Sequence, residues 1–354
     1  MTIAQSTGLV ALLVGCCMGI QMLQYPALLI LLLPSTRKIY RNYIIWTQTL
    51  FASLIMVITF LFCPIEIILY GDQNVFQTHK KLIIMANHQI YTDWWYIWIV
   101  AHHQHLGGHI KIILKDSLRK IPIFGWGMEF FEFIFLKRKW ASDEIVLRTN
   151  LTRARLDHLP LWLLLFPEGT NITPDTRARS SDYAKKKDIS VEPRHVLLPR
   201  STGLHASLLE LSKDKYANHL LDTTLAYSGV KASECPQHKY QAADIFLKSK
   251  GPAQVHMHAT LYQLADLPPL AESAESRESF DQWLLDIFMK KDDLLDTFYK
   301  TGTFGPCKQV IRPVPRLLDW IYVGCCVLLA IYGMFLSSRI FVSAIVYRVK
   351  AYFL

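Results

Sequence analysis

The sequence predicts an α/β protein: a mixed, largely buried sheet of about seven strands covered by helices, with N-terminal membrane helices and a C-terminal membrane helix. Three observations predict it. Between Tyr70 and Pro306, short and nearly continuous apolar runs alternate with amphipathic, charged stretches, the pattern of strands covered on both faces. Long apolar runs frame that region on both sides. The chain of 354 residues is 51% hydrophobic, with a mean hydropathy of +0.20. Soluble domains sit near 45–50% apolar, about where lipid is not needed as part of the solvent.

The framing runs come first. Residues 8–33 are apolar except around Gln21 and Gln24, with Pro26 late in the run. They lack the short apolar core and small-residue cleavage site of a signal peptide and are expected to stay attached. Residues 44–63 form a second run, softened by Thr47, Gln48, Thr49, Ser53 and Thr59, that either spans a membrane or lies buried or at its interface. Residues 317–336 form a third, containing Asp319. About 20 apolar residues suffice to cross a hydrocarbon core of roughly 30 Å as helix. Arg37, Lys38 and Arg41 between the first two runs favour the cytosol. A spanning pair would then put the following region on the opposite side, and a shallow hairpin would keep it cytosolic. These signals divide the chain into anchoring residues 1–69, a central α/β region 70–306 and a C-terminal membrane segment 307–354.

Within the central region the strand-like runs are 81–86, 110–114, 133–136, 161–166, 196–198, 223–227 and 255–258. Helical stretches cover 93–102, 143–158, 202–213 and 273–299, the last with Phe280, Leu284, Leu285, Phe288, Leu294, Leu295 and Phe298 at helical spacing. Residues 175–192 are polar and charged and read as a surface loop. Seven cysteines occur without C-x-x-C spacing, five of them in apolar runs, which excludes a disulfide framework and a zinc site. Lys and Arg exceed Asp and Glu by nine. With no nucleic-acid-binding motif present, that charge points to a lipid bilayer and phosphate ligands. The histidines at 102, 103, 105, 109, 256 and 258 lack metal-ligand spacing and read as solvent-facing.

Two short stretches carry chemistry. In "IIMANHQIYTDWW" (83–95) an apolar run stops at Asn87-His88, and a carboxylate, Asp93, follows five residues after the histidine. On one helix that spacing does not share a face. A strand ending at Ala86, a turn, and a helix capped by Thr92 or Asp93 would bring the two together. Asp93 would then hold one ring nitrogen of His88 and leave the other a better base. In "LWLLLFPEGTNIT" (161–173) an apolar run ends in Pro167-Glu168-Gly169-Thr170. Pro167 stops the strand, Gly169 permits a tight turn, and Glu168 stands at a strand's carboxyl end, where open α/β sheets place ligands. Taken alone, Glu168 equally suits a turn residue that accepts backbone amides.

Asn87-His88…Asp93 followed by Phe166-Pro167-Glu168-Gly169-Thr170 resembles the glycerophospholipid acyltransferase family. "FIFLKRKW" (133–140) is similar to its second motif, with Arg138 as the motif arginine, and "VLLPRSTG" (196–203) to its fourth, centred on Pro199. "LKDSLRKIPIFGWG" (114–127) is similar to the Lys-containing segment between the first two. The likeness covers residues 65–260, and its details look closest to the lysocardiolipin and lysophosphatidylinositol acyltransferase branch. The chain departs from many relatives at Glu132-Phe133, where a Gly precedes the motif-two Arg. The resemblance implies transfer of an acyl group from acyl-CoA, as co-substrate, to a lysophospholipid hydroxyl, with His88 and Asp93 catalytic. It implies that Lys115 and Arg138 hold the phosphate and that Glu168, Gly169, Thr170 and Pro199 shape the acceptor pocket. No further cofactor or metal is expected. Arg177, Arg179 and Lys185–Lys187 are candidates for CoA phosphates or an ordinary charged loop. An endoplasmic reticulum location is implied, with a mitochondrial membrane as the alternative. A CoA-independent transacylase and a His-Asp lipid hydrolase are competing readings; the absence of a G-x-S-x-G motif counts against the second. Headgroup, acyl chain and oligomeric state are not legible in the sequence.

Overall fold

In the computed structural model of the chain, residues 2–32, 34–72 and 80–353 are described, with the side chains of all but 34 and 338–353. The last residue of the first apolar run, Leu33, falls outside this set.

The strands are β1 Glu66–Gly71, β2 Lys81–Ala86, β3 Ile110–Lys115, β4 Ile134–Leu136, β5 Leu161–Leu165, β6 His219–Tyr227, β7 Gln254–Gln263 and β8 Gln309–Ile311. They form one mixed sheet of eight strands in the order β4-β3-β5-β2-β6-β7-β1-β8. Strands β4, β3, β5, β2 and β6 run parallel, β7 is antiparallel to β6, β1 is parallel to β7, and β8 is antiparallel to β1. β2 and β5 therefore lie side by side with their carboxyl ends together, and this sets where the two motif turns meet.

The sheet is buried because its strands are apolar on both faces. Leu82, Ile84 and Ala86 of β2 join one core cluster, while Ile83 and Met85 join the other. The first face is covered by α1 Ile3–Ala27, α2 Arg37–Phe62 and α3 Asp93–His103. The second is covered by α5 Trp140–Leu156, α7 Ser201–Ser212 and α9 Ala274–Thr301, through Leu147, Leu208, Phe280 and Phe288 among others. The remaining helices of seven residues or more are α4 Phe124–Phe130, α6 Pro174–Lys186, α8 Ala242–Lys248 and α10 Leu317–Phe353, and a single helical turn covers Pro236–Lys239.

Among the described residues, three helical stretches, Ile3–Leu32, Arg37–Phe62 and Leu317–Ser337, are long and apolar enough to cross a membrane. They differ in what covers them. The most apolar window of Arg37–Phe62 is 67% buried inside the protein, against 28% and 17% for the other two. α2 also bonds to the central region along its length. Gln48 Nε2 donates to the Ile110 carbonyl at 2.6 Å, and Trp95 Nε1 donates to Thr59 Oγ1 at 2.8 Å. α1 and α10 instead pack on each other and turn Val10, Met22, Leu328, Ile331 and Phe335 outward as an apolar surface. Their contact is close at Gly19, where a Cβ would stand 2.0 Å from the Cys326 carbonyl oxygen, so only glycine fits.

Several expectations need correction. Residues 175–192 are not a loop throughout: Thr173 caps α6 with its side chain on the Thr176 amide, and Pro174 opens the first turn. Residues 196–198 are buried but form no strand, lying between Pro193 and Pro199. β1 and β8 were not expected. His102 and His256 are not solvent-facing: both are buried, His102 against Asp319 and His256 with Nδ1 2.7 Å from the Tyr70 hydroxyl.

Candidate active site

The turn after β2 is held open by side chains that act as extra backbone. Asn87 Oδ1 accepts the Leu225 amide at 2.7 Å and its Nδ2 donates to the Leu225 carbonyl at 3.1 Å, extending the β2–β6 pairing by one side chain. Gln89 Nε2 donates to the His195 carbonyl at 2.8 Å. The His88 carbonyl accepts the Ile172 amide at 2.9 Å. The peptide on either side of His88 is thus fixed before its ring is considered.

His88 Nδ1 lies 2.7 Å from Asp93 Oδ2. The carboxylate opens α3, where the helix dipole favours negative charge. It also accepts the Gln89 amide at 2.7 Å, the Ile90 amide at 3.1 Å, and the Tyr227 hydroxyl. Asp93 is fully buried, so each of these donors offsets the desolvation of its charge. Burial, then the charge of Asp93, pushes the Tyr227 phenol well above its ordinary value, which keeps it a hydroxyl donor. The His88 ring stacks on Phe166, with centroids 4.3 Å apart and planes at 21°. Its side chain is 16% exposed, and among the described residues Nε2 has no partner. A ring oriented at one nitrogen with the other free and reachable is what general-base chemistry requires.

The second motif arrives from β5, next to β2 in the sheet. Residues 166–169 form a turn closed by the Gly169 amide on the Phe166 carbonyl at 2.9 Å. Gly169 has φ +71°, and a Cβ at this position would meet no atom within 4 Å, so the backbone conformation rather than space favours glycine there. Glu168 is buried, and its Oε1 accepts the His88 amide at 3.0 Å. Burial pushes its carboxyl well above the ordinary range. Glu168 thus ties the two motif turns together through the backbone of His88.

Arg138 follows β4 with φ +65° and donates from Nη2 to the Gly169 carbonyl at 2.6 Å, joining the same turn from two strands away. Pro199 is half-buried, and the next residue, Arg200, donates its amide to the Pro167 carbonyl at 2.8 Å. Thr170 is half-buried beside Gly169. Lys115 is exposed at the carboxyl end of β3, level with Leu136 of β4. The structure therefore gathers His88, Asp93, Glu168, Gly169 and Arg138 by direct bonds. Pro199 joins through its neighbour, and among the described residues Lys115 bonds to none of them. Arg177, Arg179 and Lys185 lie on α6.

Tyr227 and Phe166 have no role assigned from the sequence. Phe166 sits inside a legible motif, and its ring contact with His88 follows only once β2 and β5 are neighbours. Tyr227 ends an apolar run at the close of β6, which carries no local sign that β6 lies beside β2.

A family model described as Acyltransferase matches residues 66–216, and one described as Acyltransferase C-terminus matches residues 246–323. The chain is 38% identical over 258 residues to a 2-acyl-1-lysophosphatidylinositol acyltransferase of Saccharomyces cerevisiae, covering 63% of this chain and 62% of that protein. It is 31% identical over 286 residues to an uncharacterised acyltransferase of Schizosaccharomyces pombe, covering 77% and 79%. It is 31% identical over 269 residues to lysocardiolipin acyltransferase 1 of Mus musculus, covering 73% and 67%. The match thus spans somewhat under two thirds of the length of the Saccharomyces relative. The chain belongs to the acyltransferase family.

Proposed function

We propose that this protein is a membrane-bound acyltransferase that moves a fatty acyl group from acyl-CoA to the free hydroxyl of a lysophospholipid. The observation that carries this reading is the His88–Asp93 pair, with Nε2 unengaged, beside the 166–170 turn at the carboxyl ends of two adjacent parallel strands.

An alcohol is a poor nucleophile until its proton is removed in the transition state. His88 Nε2 takes that proton as the hydroxyl oxygen bonds to the thioester carbonyl carbon. Asp93 stabilises the imidazolium, a gain of about 10²–10⁴-fold for a positioned base. The carbonyl oxygen becomes an oxyanion that backbone N–H groups around the turn receive. When the intermediate collapses, the C–S bond breaks and the imidazolium returns its proton to the CoA thiolate, which regenerates the base.

Arg138 and Lys115 hold the acceptor's phosphate, Arg138 through paired hydrogen bonds. Glu168 positions His88 and, with Gly169, Thr170 and Pro199, shapes the acceptor pocket. Residues 1–69 and 307–354 anchor the protein, and residues 70–306 carry the chemistry. The names of the relatives support lysophosphatidylinositol and lysocardiolipin as acceptors, and lysophosphatidate is the third that the family resemblance suggests. The endoplasmic reticulum membrane is the proposed location, with a mitochondrial membrane as the alternative.

The test is a panel of those three lysolipids with labelled acyl-CoA and purified protein in phosphatidylcholine vesicles. Formation of a two-chain phospholipid with release of free CoA supports the reading. Release of free fatty acid alone would identify a hydrolase, and transfer without acyl-CoA a transacylase.

A further inference from the structure

Away from His88, a cavity of about 250 Å³ opens between β4, α5 and the start of α2. Its floor includes Leu161 and Leu163 in the first part of β5. Leu161 precedes Phe166 by five residues, roughly 16 Å of strand. That end of the cavity lies away from the turn beside His88; its other end, at Phe135, comes level with the turn two strands across, but none of His88, Asp93, Glu168 and Arg138 lines the cavity.

Two cations in its wall are almost wholly buried: Arg41 is 5% and Lys111 6% exposed. One carboxylate serves both, since Glu132 pairs with Arg41 and lies 3.9 Å from Lys111. Glu132 holds φ +55°, a left-handed conformation that a residue with a side chain occupies at a cost. Exposed Arg119 and Arg153 also line the space, with Glu129 3.1 Å from Arg119. Asp157, 3.8 Å from Arg41, is shared with Arg37 at 3.3 Å. The lining thus sets four cations against two carboxylates. Burial, with Arg41 close by, pushes the Lys111 ammonium well below its ordinary value, as expected for a cation short of counter-charge. Arg41 sits about one turn inside α2, a helix apolar enough to cross a membrane, so the cations lie where a headgroup would meet them.

We propose that this cavity binds a phosphate ester at a site separate from the acyl-transfer centre, with Arg41 and Lys111 as its inner cations and Arg119 and Arg153 toward solvent. Guanidinium and ammonium groups together suit a phosphate's oxygens. The apolar floor suits the glycerol and first methylenes of a phospholipid, and a soluble phosphate would use the cations alone. This inference does not depend on the acyl-transfer reading.

The experiment measures the melting temperature of the purified full chain in three settings: dodecyl maltoside micelles, which carry no phosphate, the same micelles with inorganic phosphate, and micelles containing phosphatidylglycerol. An occupied site should raise the melting temperature by about 4 °C. A gain with phosphatidylglycerol identifies a lipid headgroup, and a gain with inorganic phosphate identifies a soluble ligand. Lys111→Met should abolish the gain, whereas Lys290→Gln, an equal charge change on the exposed face of α9, should keep it. If Lys111→Met does not fold, the exposed pair Arg119→Gln with Arg153→Gln decides, and should at least halve the gain. The proposal is overturned if neither phosphate source stabilises the parent protein, or if all variants gain equally.

Discussion

Two histidine–carboxylate pairs of nearly the same length sit in this molecule, and they are built for different ends. His88 Nδ1 is 2.7 Å from Asp93, and His102 Nε2 is 2.8 Å from Asp319. Around the second pair, both the carboxylate and the bonded imidazole nitrogen are shared with further partners, and the ring is buried. Ser53 donates to Asp319 at 2.7 Å, the Arg316 amide donates to it at 2.7 Å, and Arg316 Nη2 lies 2.8 Å from His102 Nε2. The His102 side chain is 3% exposed. That cluster fastens α10 to α2 and α3 across an otherwise apolar contact, where a polar bond between helices fixes their register. The first pair is as well anchored at the carboxylate but leaves one imidazole nitrogen unengaged and accessible. A short contact between an imidazole and a carboxylate therefore does not identify a base. A free, accessible second nitrogen is the further requirement, and among these two pairs only His88 has it in view of solvent.

Substitutions can break this comparison in order of size. His88→Ala should lower turnover by about 10³-fold, within the range for loss of a positioned base. His102→Leu should leave turnover per folded molecule unchanged and cost about 1–3 kcal/mol of stability, because a buried carboxylate loses one of its hydrogen-bond partners. Labelled acyl transfer and thermal unfolding, measured together on both variants, check the contrast. Asp93→Asn keeps the shape but removes the charge that stabilises the imidazolium, and should lower kcat by about 10²-fold with little change in KM. Tyr227→Phe removes one of several donors to that carboxylate. It should reduce kcat by about threefold to tenfold and leave the secondary structure intact by circular dichroism.

The smallest effect concerns pH. Burial raises the Glu168 carboxyl well above its ordinary value of 4.5, so the folded protein holds a proton that the unfolded chain releases. That group makes the protein less stable as pH rises from the ordinary value toward the raised one. Glu168→Gln keeps an oxygen for the His88 amide and carries no charge. Its melting temperature relative to the parent should rise between pH 5 and pH 8, and a constant difference would contradict the assignment.

The parts of both pairs that are local were legible, and the parts set by topology were not. His88 and Asp93 are five residues apart, so a strand, a turn and a helix start sufficed to bring them together. Their partner Tyr227 lies 134 residues beyond Asp93, and only the β2–β6 neighbour relation delivers it. His102 carried no sequence mark of burial, because Asp319 reaches it from a helix 217 residues away. The α6 helix escapes sequence reading because it is polar all round and shows no apolar period, although Thr173-Pro174 is a readable start signal. Residues 196–198 resemble a strand by composition, but the prolines that flank them keep them off the sheet. β1 is hidden because its apolar residues follow directly on the α2 run, and β8 because three residues carry no pattern.

The central claim concerns one nitrogen, and ¹⁵N spectra of histidine-labelled protein in lipid test it most directly. With His88 assigned by its loss in His88→Gln, the neutral ring should carry its proton on Nδ1, facing Asp93, and a bare lone pair on Nε2. A proton on Nε2, with Nδ1 bare against the carboxylate, would contradict it.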